Sequence, residues 1–293
     1  MPIISLKDIS KIYGFGDATT VALEDVDLEI NKGEFVAIMG PSGSGKSTLL
    51  NIIGLLDRAS YGIYRLDGRP VERLSSNARA KARRDKIGFV FQSANLLPKM
   101  TVLENVALPL AYKGRLLTRR TKAAHKILER VGMTDREYFT PHQLSGGQIQ
   151  RAAIARALIN DPALIIADEP TGNLDSIASR IVMELLSEIH ELGNTVLMVT
   201  HNPELTRYAN RVLYMYDGNI EYDFQKKIGS LARSPRKTTL FAPEGSIEDD
   251  LERVGAKMKL SDEKEAAKPK VKAKAKKRTS AKRRSKARRK PNV

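Results

Sequence analysis

The chain of 293 residues is long enough for one large α/β domain with an appendage, and its apolar content of 41% is ample for a buried core. It contains no cysteine, which excludes disulfides and thiolate–metal sites, and no apolar run approaches the ~20 residues of a membrane-spanning helix. The net charge of +16 belongs to the C-terminal part, because residues 1–224 contain 27 basic and 26 acidic side chains. The first residues show no basic stretch followed by a long apolar one, so we expect no secretory signal.

Strand-like and helix-like segments alternate along residues 1–224. The predicted strands cover residues 3–9, 21–30, 35–39, 87–91, 164–168, 195–200 and 212–216, and the predicted helices cover residues 46–56, 101–111, 118–131, 147–160 and 176–192. Three strand segments, FVAIM, LIIAD and TVLMVT, are apolar on both faces, which is typical of central parallel strands covered by helices on both sides. The early strands have a hairpin-like spacing, and Asp-Gly pairs at residues 67–68 and 217–218 indicate tight turns.

These patterns predict an α/β fold with a mixed, largely parallel core sheet, an antiparallel β patch and a helical subdomain at about residues 75–161. The predicted domain covers residues 1–224, and residues 225–267 are interpreted as a connector. Residues 268–293 contain 14 basic residues, no acidic residue and no hydrophobic period. They are therefore predicted to form a disordered Lys/Arg-rich tail.

A glycine-rich loop lies between the third predicted strand and the first predicted helix. Its sequence, GPSGSGKST, matches the phosphate-loop pattern G-x-x-x-x-G-K followed by Ser or Thr. Glycines let backbone N–H groups turn around phosphate oxygens, and the helix that follows presents its positive end. Lys46 is predicted to reach the β and γ phosphates, and the Ser47 hydroxyl to ligate magnesium. The predicted nucleotide contacts of the loop are Gly40, Pro41, Ser42, Gly43, Ser44, Gly45, Lys46, Ser47 and Thr48.

A second acidic motif ends the predicted strand LIIAD. Asp168, at the strand's carboxyl end, is predicted to hold magnesium, and Glu169, the next residue, to polarise an attacking water. Hydrolysis of a nucleoside triphosphate requires charge neutralisation and an oriented nucleophile more than covalent help. Together with the phosphate loop, this pair of carboxylates indicates ATP hydrolysis.

The string LSGGQ, residues 144–148, opens another predicted helix. Its small residues leave N–H groups free at the helix start, which is a second candidate phosphate site. Because one chain has only one ATP to hold, two phosphate sites suggest that two chains share their nucleotides. The predicted nucleotide contacts of this motif are Ser145, Gly146, Gly147 and Gln148.

With this string the sequence resembles the ABC ATPase family, over about residues 3–223, and LSGGQ looks like that family's signature. The resemblance implies roles for other residues. Tyr13 resembles the aromatic residue that stacks on adenine, and Gln92 the glutamine that contacts magnesium and water and senses the transporter. Asp175 resembles the aspartate at the dimer seam, and His201 the histidine that contacts the γ-phosphate. One departure is Ile149, where a polar residue commonly follows the signature; we expect no loss of catalysis from it.

The segments NLLPKMTVLENVALPLAYKG and DEPTGNLDS look most like the subgroup of macrolide exporters, lipoprotein-releasing ATPases and cell-division ATPase relatives. The resemblance implies an ATP- and Mg²⁺-dependent ATPase that works as a head-to-tail homodimer. In such a dimer the signature helix of one subunit closes on the ATP of the other. It further implies docking on an integral membrane permease, at the cytoplasmic face of the cell membrane. Export, lipoprotein extraction and mechanotransmission to a cell-wall enzyme all stay open.

The alternative is a family member that acts on nucleic acid or ribosomes, which only the basic tail supports. Such members usually have two ATPase domains or a long coiled-coil insertion, whereas this sequence has one phosphate loop, one signature and no heptad run. For the tail itself, a solvated segment without a role, nucleic acid and anionic lipid are the alternatives. No aromatic residue follows Phe241, which disfavours base stacking, and docking on a permease would favour lipid.

Overall fold

The computed structural model describes residues 1–14, 18–227 and 230–233. The chain divides into two units, Met1–Glu248 and Asp249–Val293, and the described residues belong to the first. The predicted connector beyond residue 233 and the predicted tail lie outside the described residues. The strands are β1 (Pro2–Tyr13), β2 (Thr20–Asn31), β3 (Phe35–Met39), β4 (Tyr61–Leu66), β5 (Arg69–Pro70), β6 (Ile87–Phe91), β7 (Leu164–Asp168), β8 (Thr195–Val199), β9 (Arg211–Tyr216), β10 (Asn219–Lys227) and β11 (Ser230–Arg233). The α-helices are α1 (Lys46–Ile53), α2 (Ser76–Lys86), α3 (Val102–Tyr112), α4 (Leu117–Arg130), α5 (Gly146–Leu158) and α6 (Ser176–Glu191).

The larger sheet has the strand order β11-β10-β9-β3-β8-β7-β6. The strands from β9 to β6 are parallel to one another, whereas β10 and β11 are antiparallel. Every residue of β3 and β8 is buried, as their apolar sequences predict. The predicted mixed sheet with a parallel centre is therefore confirmed. Since parallel strands end at the same edge, the loops after β3, β6, β7 and β8 leave the sheet together.

The smaller sheet is antiparallel, with the strand order β2-β1-β4-β5, and is the predicted antiparallel patch. Its buried residues, among them Ile4 and Leu23, pack in one cluster with α1 and with residues of the larger sheet. Residues 67–68 and 217–218 form the predicted two-residue hairpin turns. All four turn residues have positive φ, between 43° and 80°, which matches the right-handed twist of the strands they join.

The sequence does not predict β4, β5 or α2, and their exposure explains why. In β4 only Tyr64 and Leu66 are buried, and α2 contains no buried residue. α2 is held instead by polar contacts: Ser75 caps its first turn, and Arg79 and Arg83 donate to the Leu55 carbonyl at 3.0 and 2.8 Å. Such contacts leave no hydrophobic period in the sequence.

The helices α3, α4 and α5 surround a second hydrophobic cluster, which includes Val106, Leu128 and Ala155. Thr101 and Glu104 form a capping box that fixes the start of α3. This cluster is separate from the core between the sheets, which supports a helical subdomain, although its bounds stay a prediction. None of the helices in the described ranges is both long and apolar enough to cross a membrane.

The larger sheet continues past residue 224, where the sequence placed the end of the domain. β10 runs to Lys227 and pairs with β11, with Phe224 opposite Arg233. The ring of Tyr222 stacks on that of Phe224 at 5.9 Å between centroids. The first residues of the predicted connector therefore belong to a strand. The sequence does not predict this, because the strand ends in Gln-Lys-Lys, which lacks the alternation of apolar and polar residues of a half-buried strand.

Arg211, at the start of β9, joins the two sheets from a buried position. Its guanidinium donates to both Asp223 carboxylate oxygens at 2.9 and 2.7 Å, and to the Glu34 carboxylate at 3.0 Å. It also donates to the Glu29 carbonyl of β2 at 2.6 Å. Burial alone would lower the pKa of Arg211, but the hydrogen bonds and charges of Asp223 and Glu34 raise it. The network is thus a charge-assisted clamp between β2, β9 and β10.

Replacing Arg211 with alanine is expected to lower the free energy of unfolding by about 3 kcal/mol, because two partly buried carboxylates would lose their cation. Urea denaturation followed by circular dichroism measures the change. The exposed Arg69 on β5 provides the control, and Arg69→Ala should change the same free energy by less than about 0.5 kcal/mol. If both variants behave alike, the Arg211 network does not hold the sheets together.

Candidate active site

The phosphate loop follows β3 and leads into α1 by a path that requires glycine at two positions. At Gly40 φ is 145°, and a Cβ atom there would lie 2.1 Å from the Met215 carbonyl oxygen. At Gly45 φ is 92°, and a Cβ would lie 2.5 Å from the Ala22 carbonyl oxygen. Gly45 is also the N-cap of α1, so no side chain bonds to the first N–H groups of this helix. These N–H groups are available to an anion at the positive end of the helix.

Lys46 bends back over its own loop. Its ammonium donates to the Gly40 and Pro41 carbonyl oxygens at 2.9 and 2.6 Å. Burial lowers the pKa of Lys46, while the negative charges of Glu169 and Asp168 act in the opposite direction. The predicted phosphate-binding cation and the predicted acidic motif are therefore close enough to interact.

The two carboxylates stand where β7 ends. Burial, followed by the charge of Glu169, raises the pKa of Asp168, and the charge of Lys46 opposes this rise. Glu169 has a left-handed backbone (φ 46°), and its N–H donates to the Val199 carbonyl of β8 at 2.9 Å. A positive φ at a residue other than glycine is strained and is typical of functional sites.

His201 meets Glu169 at this edge of the sheet. Its Nδ1 lies 2.6 Å from Glu169 Oε2. The His201 side chain is 69% exposed and that of Glu169 is 22% exposed, so the pair opens to solvent. The structure therefore brings Lys46, Asp168, Glu169 and His201 into one site, as their positions after parallel strands lead one to expect.

Gln92 follows β6 and makes contact with the loop after Glu169. Its Nε2 donates to Asn173 Oδ1 at 3.3 Å, and Asn173 Nδ2 donates to the Gln92 carbonyl, also at 3.3 Å. Asn173 lies within the GNLD string, but the sequence gives no signal that it bonds to Gln92. Two residues later, Asp175 caps α6 by accepting the Ala178 N–H at 2.8 Å.

The LSGGQ residues lie at the start of α5 and pack on the same loop. Ser145 is the N-cap and forms a capping box with Gln148, with distances of 3.3 and 2.9 Å. A Cβ on Gly146 would lie 3.2 Å from the Leu174 side chain, and one on Gly147 would lie 2.9 Å from the Ala178 methyl group. Among the residues that the structure describes, these contacts join the signature to α6 and its preceding loop, and none joins it to the phosphate loop.

Tyr13 ends β1, and its hydroxyl donates to Asp57 Oδ2 at 2.9 Å. Partial burial raises the pKa of Tyr13, and so does Asp57, whereas the nearby Thr48 hydroxyl lowers it. Tyr13 therefore lies close to the phosphate loop. Its partner Asp57 was not predicted, because a lone aspartate after a helix carries no motif.

The comparisons with known proteins agree with this geometry. A sequence profile of the ABC transporter family matches residues 23–172. The uncharacterized ABC transporter ATP-binding protein MJ1508 of Methanocaldococcus jannaschii is 52% identical over 218 residues, which are 74% of this chain and 97% of the relative. The macrolide export ATP-binding/permease protein MacB of Aggregatibacter actinomycetemcomitans is 46% identical over 236 residues, which cover 80% of this chain and only 37% of the relative.

A solved structure has the same fold. It is the ATP-binding cassette MJ0796, a dimer in a post-hydrolysis state bound to ADP and Pi, with a TM-score of 0.71 and 45% sequence identity. The match covers 76% of this chain and 99% of that one. The phosphate loop, the carboxylate pair and the family profile agree with one another. The chain therefore belongs to the ABC transporter family, as an ATP-binding and ATP-hydrolysing member.

Proposed function

We propose that this chain powers a membrane permease, and that two copies close head to tail around two ATP molecules to do so. The observation that carries the proposal is the separation of the predicted site into two groups. Lys46, Asp168, Glu169 and His201 form one group, and the LSGGQ residues form the other, at the start of α5. A signature that does not contact its own phosphate loop is free to serve the loop of a second copy.

The neighbour MJ0796 supports this arrangement, because it is a dimer with ADP and Pi and is 45% identical to this chain. A two-fold axis would give each ATP one phosphate loop and one signature. At the start of α5, Gly146 is exposed, and the first N–H groups of a helix have no acceptor within it, which suits the γ-phosphate of the partner's ATP. Asp175, at the start of α6, would lie at the seam between the copies.

Magnesium fits the donors at the phosphate loop. Ser47 offers an exposed hydroxyl, Asp168 a carboxylate and Gln92 an amide oxygen, all of them hard oxygen donors. Burial and then the charge of Glu169 raise the pKa of Asp168, and the charge of Lys46 opposes this rise, so two neighbouring carboxylates stand beside one cation. A divalent cation would compensate this charge and neutralise the phosphates. Mg²⁺ typically uses one or two carboxylates together with the substrate phosphates, and these residues provide that set.

Each residue of the proposed site has a separate role in hydrolysis. The loop amides and Lys46 would hold the β and γ phosphates, and the Tyr13 ring would stack on the adenine. Glu169 would accept the hydrogen bond of the attacking water, and His201, 2.6 Å from Glu169, would contact the γ-phosphate and fix the carboxylate's orientation. Water then displaces ADP from the γ-phosphorus, and phosphate leaves.

The permease partner is supported by relatives named ATP-binding/permease proteins, of which this chain matches 37% in one case. A groove of about 720 Å³ lies between α2 and α5, and it is lined by Phe91, the residue before Gln92. Phe89, Phe91 and Tyr112 give it apolar walls, and Arg83, Arg84 and Arg156 give it a basic rim. We place a cytoplasmic helix of the permease here, which puts the chain at the cytoplasmic face of the membrane. Export of a drug or peptide, or extraction of a lipoprotein, fits the subgroup resemblance.

Glu169→Gln is expected to bind ATP normally and to hydrolyse it about 10²–10⁴ times more slowly, because a glutamine cannot take up the proton of water. Phosphate release and ATP binding are the two measurements. Glu184→Gln, on the exposed side of α6, is the matched control and should leave both unchanged. Lys46→Ala should differ from both by weakening ATP binding itself. Near-normal turnover by Glu169→Gln would show that Glu169 is not the base.

The shared-site dimer is tested by mixing inactive variants. Lys46→Ala and Ser145→Arg should each be inactive alone, but a mixed dimer keeps one site with an intact loop and an intact signature, so turnover should return. Lys46→Ala mixed with Glu169→Gln is the control, because these two changes disable both sites, and turnover should stay low. Light scattering on Glu169→Gln should show dimers with ATP and monomers with ADP. Unchanged turnover and dimerisation in Ser145→Arg would contradict the model of shared sites.

We propose that the basic tail, residues 268–293, contacts anionic lipid headgroups. The only support for this proposal is the 14 positive charges of the tail. Each basic residue near an anionic leaflet contributes about 1 kcal/mol, which salt screens. A chain that ends at Ala267 should keep its ATPase rate and lose sedimentation with anionic vesicles, while neutral vesicles bind neither form. A full-length chain with the tail residues in shuffled order should bind like the original. Equal vesicle binding with and without the tail, or a preference for DNA in competition, would count against lipid.

A further inference from the structure

The side chain of Tyr13 has polar contacts at its hydroxyl and a cation above its ring. The hydroxyl donates to Asp57 Oδ2 at 2.9 Å and lies near the Thr48 hydroxyl of the phosphate loop. The ammonium of Lys11, two residues earlier on β1, lies 4.7 Å from the centroid of the ring. Tyr13 is still 42% exposed, so the ring keeps free surface for a ligand. A surface aromatic residue with so many partners is oriented rather than mobile.

Asp57 is the residue that joins these contacts. Its carboxylate also pairs with the Lys11 ammonium at 2.9 Å and accepts the Arg58 N–H at 2.7 Å. Partial burial would raise the pKa of Asp57, but the hydrogen bonds from Lys11, Arg58 and Tyr13 lower it, so the carboxylate is ionised at neutral pH. The charge therefore strengthens the bond to the Tyr13 hydroxyl.

The backbone of Asp57 is fixed as well. Its N–H donates to the Asn51 carbonyl of α1 at 3.1 Å, and its carbonyl accepts from Arg79 of α2 at 2.9 Å. Because α1 begins at the phosphate loop, Asp57 is connected to that loop through a short rigid helix. The position of the Tyr13 ring relative to the phosphate loop is thus set through Asp57, which follows the end of α1.

We propose that Asp57 is a positioning residue for the base of bound ATP, acting through Tyr13. The proposal rests on the stacking role that the proposed function gives to Tyr13. In a nucleotide the ribose fixes the distance between base and phosphates, so a stacking ring contributes most when its own distance from the phosphate loop is fixed. Asp57 supplies that constraint before the ligand arrives, which reduces the entropy lost on binding.

This arrangement predicts that Asp57 affects the affinity for nucleotides but not the preference for one base over another. Asp57 bonds to the protein ring and not to the base, and an aromatic ring stacks on the face of any base. The loss of Asp57 should therefore weaken ATP and GTP binding by the same factor. It should leave kcat unchanged, because no group at the γ-phosphate moves.

The experiment is a double-mutant cycle on the full chain, with KM and kcat measured for ATP and for GTP. Asp57→Ala and Tyr13→Phe should each raise KM about fivefold, which is the usual contribution of one hydrogen bond. Because both remove the same bond, the double variant should be no worse than either single one. Additive effects, or a kcat that falls while KM stays constant, would overturn the proposal.

Two controls separate positioning from a general loss of structure. Asp67 also binds two lysines, Lys32 and Lys86, both at 2.7 Å, but it lies in the β4–β5 turn, so Asp67→Ala should leave KM unchanged. Tripolyphosphate with Mg²⁺ has no base, and it should inhibit wild type and Asp57→Ala equally. A weaker inhibition of Asp57→Ala would mean that the phosphate loop itself had moved, which contradicts the proposal.

Tyr13→Ala distinguishes this proposal from the function on which it rests. If Tyr13→Ala raises KM while Asp57→Ala and Tyr13→Phe do not, stacking is right and the role of Asp57 is wrong. If Tyr13→Ala leaves KM unchanged, the stacking role itself fails. Should Asp57→Ala not fold, Tyr13→Phe decides alone, since it keeps the ring and removes only the bond to Asp57.

Discussion

The site depends on the register of three parallel strands. Ile38 of β3 and Asp168 of β7 both lie level with Val199 of β8. The pairing continues one residue beyond the strand ends, since the Thr200 N–H donates to the Ile38 carbonyl at 3.1 Å and the Glu169 N–H donates to the Val199 carbonyl at 2.9 Å. The phosphate loop, the carboxylate pair and His201 therefore all begin from one row of the sheet.

A slip of one residue would turn every side chain of a strand to the other face. Here every residue of β3 and β8 is buried, so a slip would disrupt the packing on both faces of the sheet. The register is therefore well determined. The precision of the site thus comes from the hydrophobic core. The polar residues occupy the first positions after the core ends, where side chains can reach solvent and ligand.

The charged side chains at this edge of the sheet suit a ligand that has both negative and positive charges. Lys46 stands near two carboxylates, and its ammonium is meanwhile satisfied by the carbonyl oxygens of Gly40 and Pro41. A triphosphate alone would be repelled by Asp168 and Glu169, and a divalent cation alone would be repelled by Lys46. The two together match the site. If Glu169 is the base and Asp168 binds the metal, as proposed, the two carboxylates can stand side by side without loss of affinity for phosphate.

Sequence and structure agree best where a pattern is local. The bounds of β3, β6 and β7 follow directly from short apolar runs, and the glycines and Lys46 of the phosphate loop form one continuous string. The sequence does not predict α2, because this helix contains no buried residue, and it ends the domain at residue 224, within β10, because the last residues of that strand are polar. Asp57 and Asn173 could not be found for a different reason. Their partners, Tyr13 and Gln92, are 44 and 81 residues away in the chain, and only the fold brings them together.

The contact between Gln92 and Asn173 has a consequence for a dimer with shared sites. Gln92 follows Phe91, which lines the groove in which we place the permease, and Asn173 precedes Asp175, the cap of α6. Ala178, in the first turn of α6, lies against Gly147 at the start of α5. In the proposed head-to-tail dimer that helix start would face the partner's ATP, so the groove of one copy would be connected through these residues to the nucleotide of the other.

Contacts alone do not couple two sites; at least one element between them must have two arrangements. The element best suited is the Gln92 side chain, whose one bond to Asn173 Oδ1, at 3.3 Å, is slightly longer than the typical range for hydrogen bonds. The cap of Asp175 on α6, at 2.8 Å, is shorter. A shift of the Gln92 side chain toward the proposed magnesium would break only this bond and leave the cap of α6 intact. Binding of Mg²⁺ and ATP would thus loosen the loop before α6 while keeping the helix that presents it, and the energy required is small because only one long hydrogen bond is lost.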